Sequence, residues 1–187
     1  VALLLLGALS VGALKANAVD RTEALRGCFG TYAGAPKLPD GHVDQQKLIA
    51  ELLDIQANTY HWLVRSTQLE FDDFQVFLPL ARKHNIKVWV TLVPPAETLP
   101  RGTTPTEAMK KEYEQWVLEF ARLSTSAPNF VAWSIDDFAY NLKFWTPDDL
   151  ARLTEATHEL NPRLAFVPCC YYRQMTPAFV KSYAPYC

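Results

Sequence analysis

Apolar residues in this chain follow two alternating patterns. Short runs rich in β-branched and aromatic side chains alternate with longer stretches whose apolar positions recur every three or four residues. The first pattern marks strands, and the second marks helices that bury one stripe. The spacing predicts strands over Gly27 to Tyr32, Thr59 to Val64, Ile86 to Val93, Phe130 to Ile135 and Leu164 to Cys170, with starts that step by 32, 27, 44 and 34 residues. The helical stripes between and after them are Leu48, Ile49 and Leu52; Phe74, Phe77, Leu78 and Ala81; Tyr113, Trp116, Val117 and Phe120; and Leu150, Leu153, Thr157 and Leu160. Asn58 and Asn85 sit where helices give way to strands. Thr146-Pro147 and Thr176-Pro177 each place a capping hydroxyl before a proline at the first helical position.

A strand–helix repeat of this length predicts an α/β fold with parallel strands, either a doubly wound sheet or a TIM (β/α)8 barrel. The barrel is expected for two reasons. No GxGxxG follows the first strand, only Gly27-Cys28-Phe29-Gly30. Polar and aromatic residues also gather where strands end, at Tyr32, Arg65, Thr91, Asp136, Asp137, Tyr171, Tyr172 and Arg173, the face on which barrels build active sites. The expectation is therefore the N-terminal five βα units of a TIM barrel, truncated before strand six.

Val1 to Leu14 is apolar and uncharged, and Lys15 then leads into the small-x-small run Ala16-Asn17-Ala18. This predicts a signal peptide over 1–18, lacking its first residues, and a partial barrel domain over 19–187. The apolar run is shorter than the roughly 20 residues of a bilayer span, so the mature chain is expected to be secreted or periplasmic with no membrane span. Of the 187 residues, 49% are hydrophobic and 20% charged, enough for one sizeable core. With 18 basic against 20 acidic residues the net charge is −2, which offers no field for nucleic acid. Cys28, Cys169 and Cys170 fall in predicted strands and are expected as buried free thiols, with Cys187 open to a disulfide. No paired CxxC or Cys/His spacing suggests a metal, and no cofactor is expected.

Three Asp-Asp pairs stand in the sequence. Asp72-Asp73 and Asp148-Asp149 are predicted at helix starts, where unpaired N–H groups and the macrodipole stabilise carboxylates by about 0.3–1 kcal/mol each. Asp136-Asp137 instead ends the apolar run Phe130-Val131-Ala132-Trp133-Ser134-Ile135, ten residues before Thr146. Alternation puts Val131, Trp133 and Ile135 against the helices and Ala132, Ser134 and Asp136 on the barrel interior, with Asp137 at the rim. Two carboxylates this close do not both ionise easily, an arrangement suited to a general acid beside a charged partner.

The run FVAWSIDDF, Phe130 to Phe138, resembles the strand-four motif of the O-linked N-acetylglucosaminidase family, retaining glycosidases on a (β/α)8 barrel. Over its length the chain also resembles secreted bacterial barrels of glycosidase type. The resemblance implies that Asp136 orients the substrate's 2-acetamido group for attack on the anomeric carbon. It implies that Asp137 protonates the leaving oxygen and later activates water.

A carbohydrate substrate is therefore expected, with Tyr32, His61, Arg65, Asn141, Trp145, Tyr171 and Tyr172 as candidate contacts, the aromatic rings offering flat faces to sugars. A metal-dependent polysaccharide deacetylase is excluded, because His42, His61, His84 and His158 are too scattered to ligate. No GxSxG, P-loop or HExxH is present. The rival expectation is a noncatalytic barrel that binds glycans, with the aspartates holding sugar hydroxyls.

Overall fold

The computed structural model describes residues 20–64, 67–100 and 103–187; Arg65 and the expected signal peptide, 1–18, lie outside them. Five strands, β1 (Gly30–Thr31), β2 (Thr59–Val64), β3 (Lys87–Leu92), β4 (Phe130–Ile135) and β5 (Ala165–Phe166), alternate with helices. These are α1 (Gln45–Asp54), α2 (Gln68–Lys83), α3 (Pro95–Thr98), α4 (Glu107–Ser124), α5 (Pro147–Leu160) and α6 (Pro177–Tyr183). Among the described residues, no helix is long and apolar enough to cross a membrane.

The chain is an α/β fold with one parallel sheet in the order β1-β2-β3-β4-β5. Each strand joins the side its predecessor left open. The order never reverses, so the sheet has no switch point of the kind found in doubly wound folds. β1 and β5 are shorter than predicted, two residues each, because an edge strand has one neighbour to define its ladder. Cys28 and Cys169-Cys170 accordingly fall outside the strands. All four cysteines are free thiols, the first three half-buried and Cys187 exposed.

Local chemistry sets the boundaries. The side chains of Asp44, Thr67, Thr106, Thr146 and Thr176 each accept a backbone N–H at the start of a helix. Asn85, at φ 57°, turns the chain out of α2 in the left-handed region that asparagine tolerates. Asn58 ties β1 to β2, since its Oδ1 accepts Phe29 N–H and its Nδ2 donates to the Gly27 carbonyl, both at 2.8 Å. Gly30 is required where β1 meets β2, because a Cβ there would stand 2.2 Å from the Thr59 carbonyl oxygen.

The helical stripes pack on one face of the sheet, as their spacing predicted, except that Leu160 at the end of α5 is exposed and Trp116 is only half-buried. Leu48, Ile49, Leu52, Phe74, Phe77, Leu78, Ala81, Tyr113, Val117, Phe120, Leu150 and Leu153 share a cluster with Trp62, Val64, Val88, Val90, Leu92, Trp133, Ile135 and Phe166 of the strands. One position differs from simple alternation. Val88 pairs with Phe130 but Trp89 pairs with Ala132, so a bulge takes up Val131. Phe130, not Val131, therefore turns towards the helices, with its ring 5.1 Å from Phe74. Beyond the bulge the predicted alternation holds.

The Asp-Asp pairs at the helices divide. Asp149 completes a capping box with Thr146 in the first turn of α5, and Lys110 of α4 reaches it at 2.5 Å. Burial raises its pKa, but the bonds from Lys110 and Thr146 outweigh this and hold the carboxyl below the usual range. Asp72-Asp73 departs from expectation. α2 begins at Gln68, so this pair lies in the second turn, beyond the reach of the helix-start argument. Asp73 is buried and clamps the loop after β1: its carboxylate accepts Val43 N–H and meets His42 Nδ1, each at 2.8 Å.

This clamp titrates. The hydrogen bond to Asp73 raises the His42 pKa above its ordinary 6.5, with the Asp73 and Asp40 charges adding to it and Lys37 opposing. A raised folded-state value means that stability is fully present below pH 6.5 and is lost as pH rises through the folded value. The melting temperature of the wild-type protein is expected to fall between about pH 6 and pH 8, and His42→Gln should flatten that dependence. Equal slopes in the two proteins would rule the clamp out.

Candidate active site

The site lies at the C-terminal ends of β2 to β5, on the sheet face away from the helices. That face carries His61, Trp89, Thr91 and Ser134, which with Tyr32, Asp136 and Val167 to Cys169 line a cavity of about 190 Å³. The rows follow the register: His61 beside Trp89 beside Ala132, and Leu63 beside Thr91 beside Ser134. His61 stacks on Trp89 with ring centroids 4.4 Å apart, and burial lowers its pKa, so the ring is neutral near pH 7. The Thr91 hydroxyl and Trp89 Nε1 are buried without a hydrogen-bond partner among the described residues. A second cavity, about 410 Å³ and lined by Leu63, Val93, Glu97, Thr98 and Asp136, adjoins the rim at α3. Asp136 borders both.

Asp136 extends β4 by one step, its N–H donating to the Leu92 carbonyl at 2.9 Å. At Asp137 the backbone leaves the strand, entering the left-handed region at φ 41°, ψ 36°. A non-glycine residue held there costs on the order of 1 kcal/mol or more, and such residues cluster at functional sites. Three bonds keep it in place. The Asp136 carboxylate accepts Asp137 N–H at 3.0 Å, Asn141 Nδ2 donates to the Asp137 carbonyl at 2.9 Å, and Phe138 N–H donates to the Cys169 carbonyl at 3.0 Å. Asp137 Oδ1 is buried with no hydrogen-bond partner among the described residues.

Two further groups face the pair. The Tyr171 phenol is pushed well above the tyrosine range, first by hydrogen bonding to the Asp137 carboxylate and then by its charge. One ligand-type atom each from Asp136, Asp137 and Cys169 lies within 4.8 Å of the others, the one such cluster among the described residues. Burial raises the Cys169 pKa, outweighing the lowering by the Asp137 backbone bond, and the Asp136 charge adds to the rise, which disfavours the thiolate that a metal would need.

The expected sugar contacts separate. Tyr32 and His61 line the inner cavity with Asp136, and Tyr171 stands over Asp137 with its ring 5.8 Å from Tyr140. Arg65 lies outside the described residues. Tyr172, 94% exposed, borders neither cavity. Asn141 is buried and bonds the backbone of Asp137, so it positions that residue instead of meeting a ligand.

Trp145 is a correction. Its side chain is wholly buried, packed 4.9 Å from Phe144 and 6.2 Å from Tyr113, and cannot meet a sugar. The signal for this was present: Trp145 immediately precedes the N-cap Thr146, the position from which a hydrophobic staple reaches inward, and Leu150 at the fourth helical position is buried in the same cluster. Thr91 was noted from sequence only as a strand-end residue, and Cys169 was expected only as a buried thiol; the cavity includes both. Strand alternation alone would have placed Thr91 beside Ser134.

No protein-family model matches the chain, and no curated protein matches it either.

Proposed function

We propose that this chain is the first five βα units of a secreted (β/α)8-barrel glycoside hydrolase whose chemistry centres on Asp136 and Asp137. The sequential parallel order, with helices on one face and polar side chains on the other, supports the barrel reading. The observation that carries the function is Asp137 itself: a strained left-handed residue with a buried, unpaired carboxylate oxygen, next to a carboxylate that lines a cavity. Natural folds retain strain and an unsatisfied buried oxygen mainly where a ligand uses them.

In this reading Asp137 protonates the glycosidic oxygen as the bond to the anomeric carbon breaks, then takes a proton from the attacking water. Asp136 orients and polarises the group that stabilises the anomeric centre, a 2-acetamido carbonyl if the substrate carries one. Asn141 and Asp136 fix the turn that aims Asp137, and the Tyr171 phenol steadies its carboxylate. The test is hydrolysis of aryl N-acetylglucosaminides against plain aryl glycosides by the secreted full-length protein. Turnover confined to the acetamido sugars is expected. Turnover of plain glycosides alone would replace acetamido assistance with a carboxylate nucleophile, and no turnover on either panel would refute the hydrolase.

One observation favours the second reading, a glycan-binding barrel without catalysis. Tyr140 and Tyr171 are exposed with rings 5.8 Å apart, and exposed Tyr32 lines the inner cavity, faces of the kind that stack on sugars. Binding with no turnover would select it.

A further inference from the structure

The inner cavity, about 190 Å³, is too small for a whole drug-sized ligand and suits a single headgroup. Two of its polar residues give it little polarity, because the Thr91 hydroxyl and Trp89 Nε1 are sealed within the wall. What these two offer the cavity is carbon. With Tyr32, Val167 and Pro168 they make a lining that is almost wholly apolar. A ligand rich in hydroxyl or N–H groups would leave them unsatisfied there.

The charge around this apolar space is nevertheless one-sided. Among the described residues, Asp136 is the one charged side chain in the lining, and neither it nor Asp137 has a cationic partner. Burial keeps the His61 ring neutral, so it does not offset that charge. A carboxylate in partly desolvated surroundings attracts a cation more strongly than it does in bulk water.

We propose that the inner cavity binds a quaternary ammonium group, with the rings of Tyr32 and Trp89 against its methyl groups and Asp136 as the opposing charge. The inference stands apart from the hydrolase reading. A trimethylammonium group has no N–H to satisfy, presents only carbon to the wall and spreads its positive charge over its methyl groups. It therefore suits an apolar lining and a negative field at once. Aromatic faces add to this, since the ring quadrupole attracts a cation within about 6 Å of the centroid, and tryptophan does so best. His61 backs the Trp89 ring, stacked at 4.4 Å with the planes 22° apart, and so fixes its orientation. The alternatives fit less well. A primary ammonium would bury three N–H donors against carbon, an anion would meet Asp136, and an uncharged group of the same shape would gain nothing from that carboxylate.

The experiment is calorimetric titration of the secreted full-length protein with choline, with the carbon isostere of choline, in which a tert-butyl group replaces the trimethylammonium, and with ethanolamine. Choline is expected to bind with a Kd of about 1 mM or tighter, and the other two at least about tenfold more weakly. Tyr32→Ala, at an exposed position where the fold should be indifferent, is expected to weaken choline by about fivefold. Asp136→Asn should weaken choline by about tenfold and leave the carbon isostere unchanged, so that the preference between them disappears.

No binding of choline, equal affinity for choline and its carbon isostere, or unchanged choline affinity in either variant would overturn the assignment. Should Asp136→Asn lower the melting temperature into the assay range, the pair Tyr32→Ala and Tyr32→Phe keeps the test. The first should weaken choline and the second should not, because the cage uses the ring; equal losses in the two would overturn it. Glycoside turnover without choline binding would refute this inference alone, whereas choline binding by a protein that hydrolyses nothing would support it and refute only the hydrolase.

Discussion

Asp137→Asn is expected to lower kcat by about a hundred- to ten-thousandfold, the usual contribution of a positioned general acid–base group, while sugar affinity changes little. Asparagine is the informative replacement on two counts. It keeps the size of the side chain and removes only the transferable proton. It also tolerates the left-handed backbone that Asp137 adopts at φ 41°, so the turn after β4 should survive. Steady-state kinetics on the best aryl glycoside, with an unchanged melting temperature as the control for folding, make the measurement. Activity within about tenfold of wild type would remove Asp137 from the chemistry. A retained kcat with a raised KM would instead mark the residue as a sugar contact.

Phe74→Ala should be the most damaging substitution away from the site. Phe74 is fully buried, and its ring packs 5.7 Å from Trp62, 5.1 Å from Phe130 and 6.2 Å from Phe120, so it joins α2 to β2, β4 and α4. Emptying that position removes its transfer free energy and leaves a void, together about 3–5 kcal/mol. For a domain of this size the melting temperature should drop by roughly 6–20 °C. Thermal or denaturant unfolding measures it, and a fall under about 3 °C would mean that the core closes around the gap. Because Phe130 opens β4, the strand that ends in Asp136 and Asp137, activity should be lost at temperatures well below those that inactivate the wild type.

Much of the architecture was legible along the chain because helix and strand periods are local. β2 and β4 begin and end where the apolar runs do, and the stripe Phe74, Phe77, Leu78, Ala81 is the buried face of α2. Threonine before proline at 146 and 176 marked two helix starts for the same reason, since a cap needs only the next three residues. The carboxylate pair at the end of β4 was equally readable from where its apolar run stops.

Tertiary structure decided what depends on partners distant in sequence. The bulge at Val131 arises from pairing with β3 and exchanges Phe130 for Val131 in the helix layer. Asp73 reads like a helix-start acid until the loop holding His42 and Val43 folds onto it from 30 residues upstream. Trp145 and Asn141 were expected to face a ligand. Packing buried the first, and the backbone of Asp137 claimed the amide of the second. The left-handed turn at Asp137 is likewise invisible in the letters Asp-Asp, because its cost is met by bonds from Asn141, Asp136 and the segment at Cys169. Sequence determined the repeat and the place of the two aspartates, since both follow from local periodicity. Only the assembled sheet, where separate strand ends converge, decided which side chains share a cavity with them.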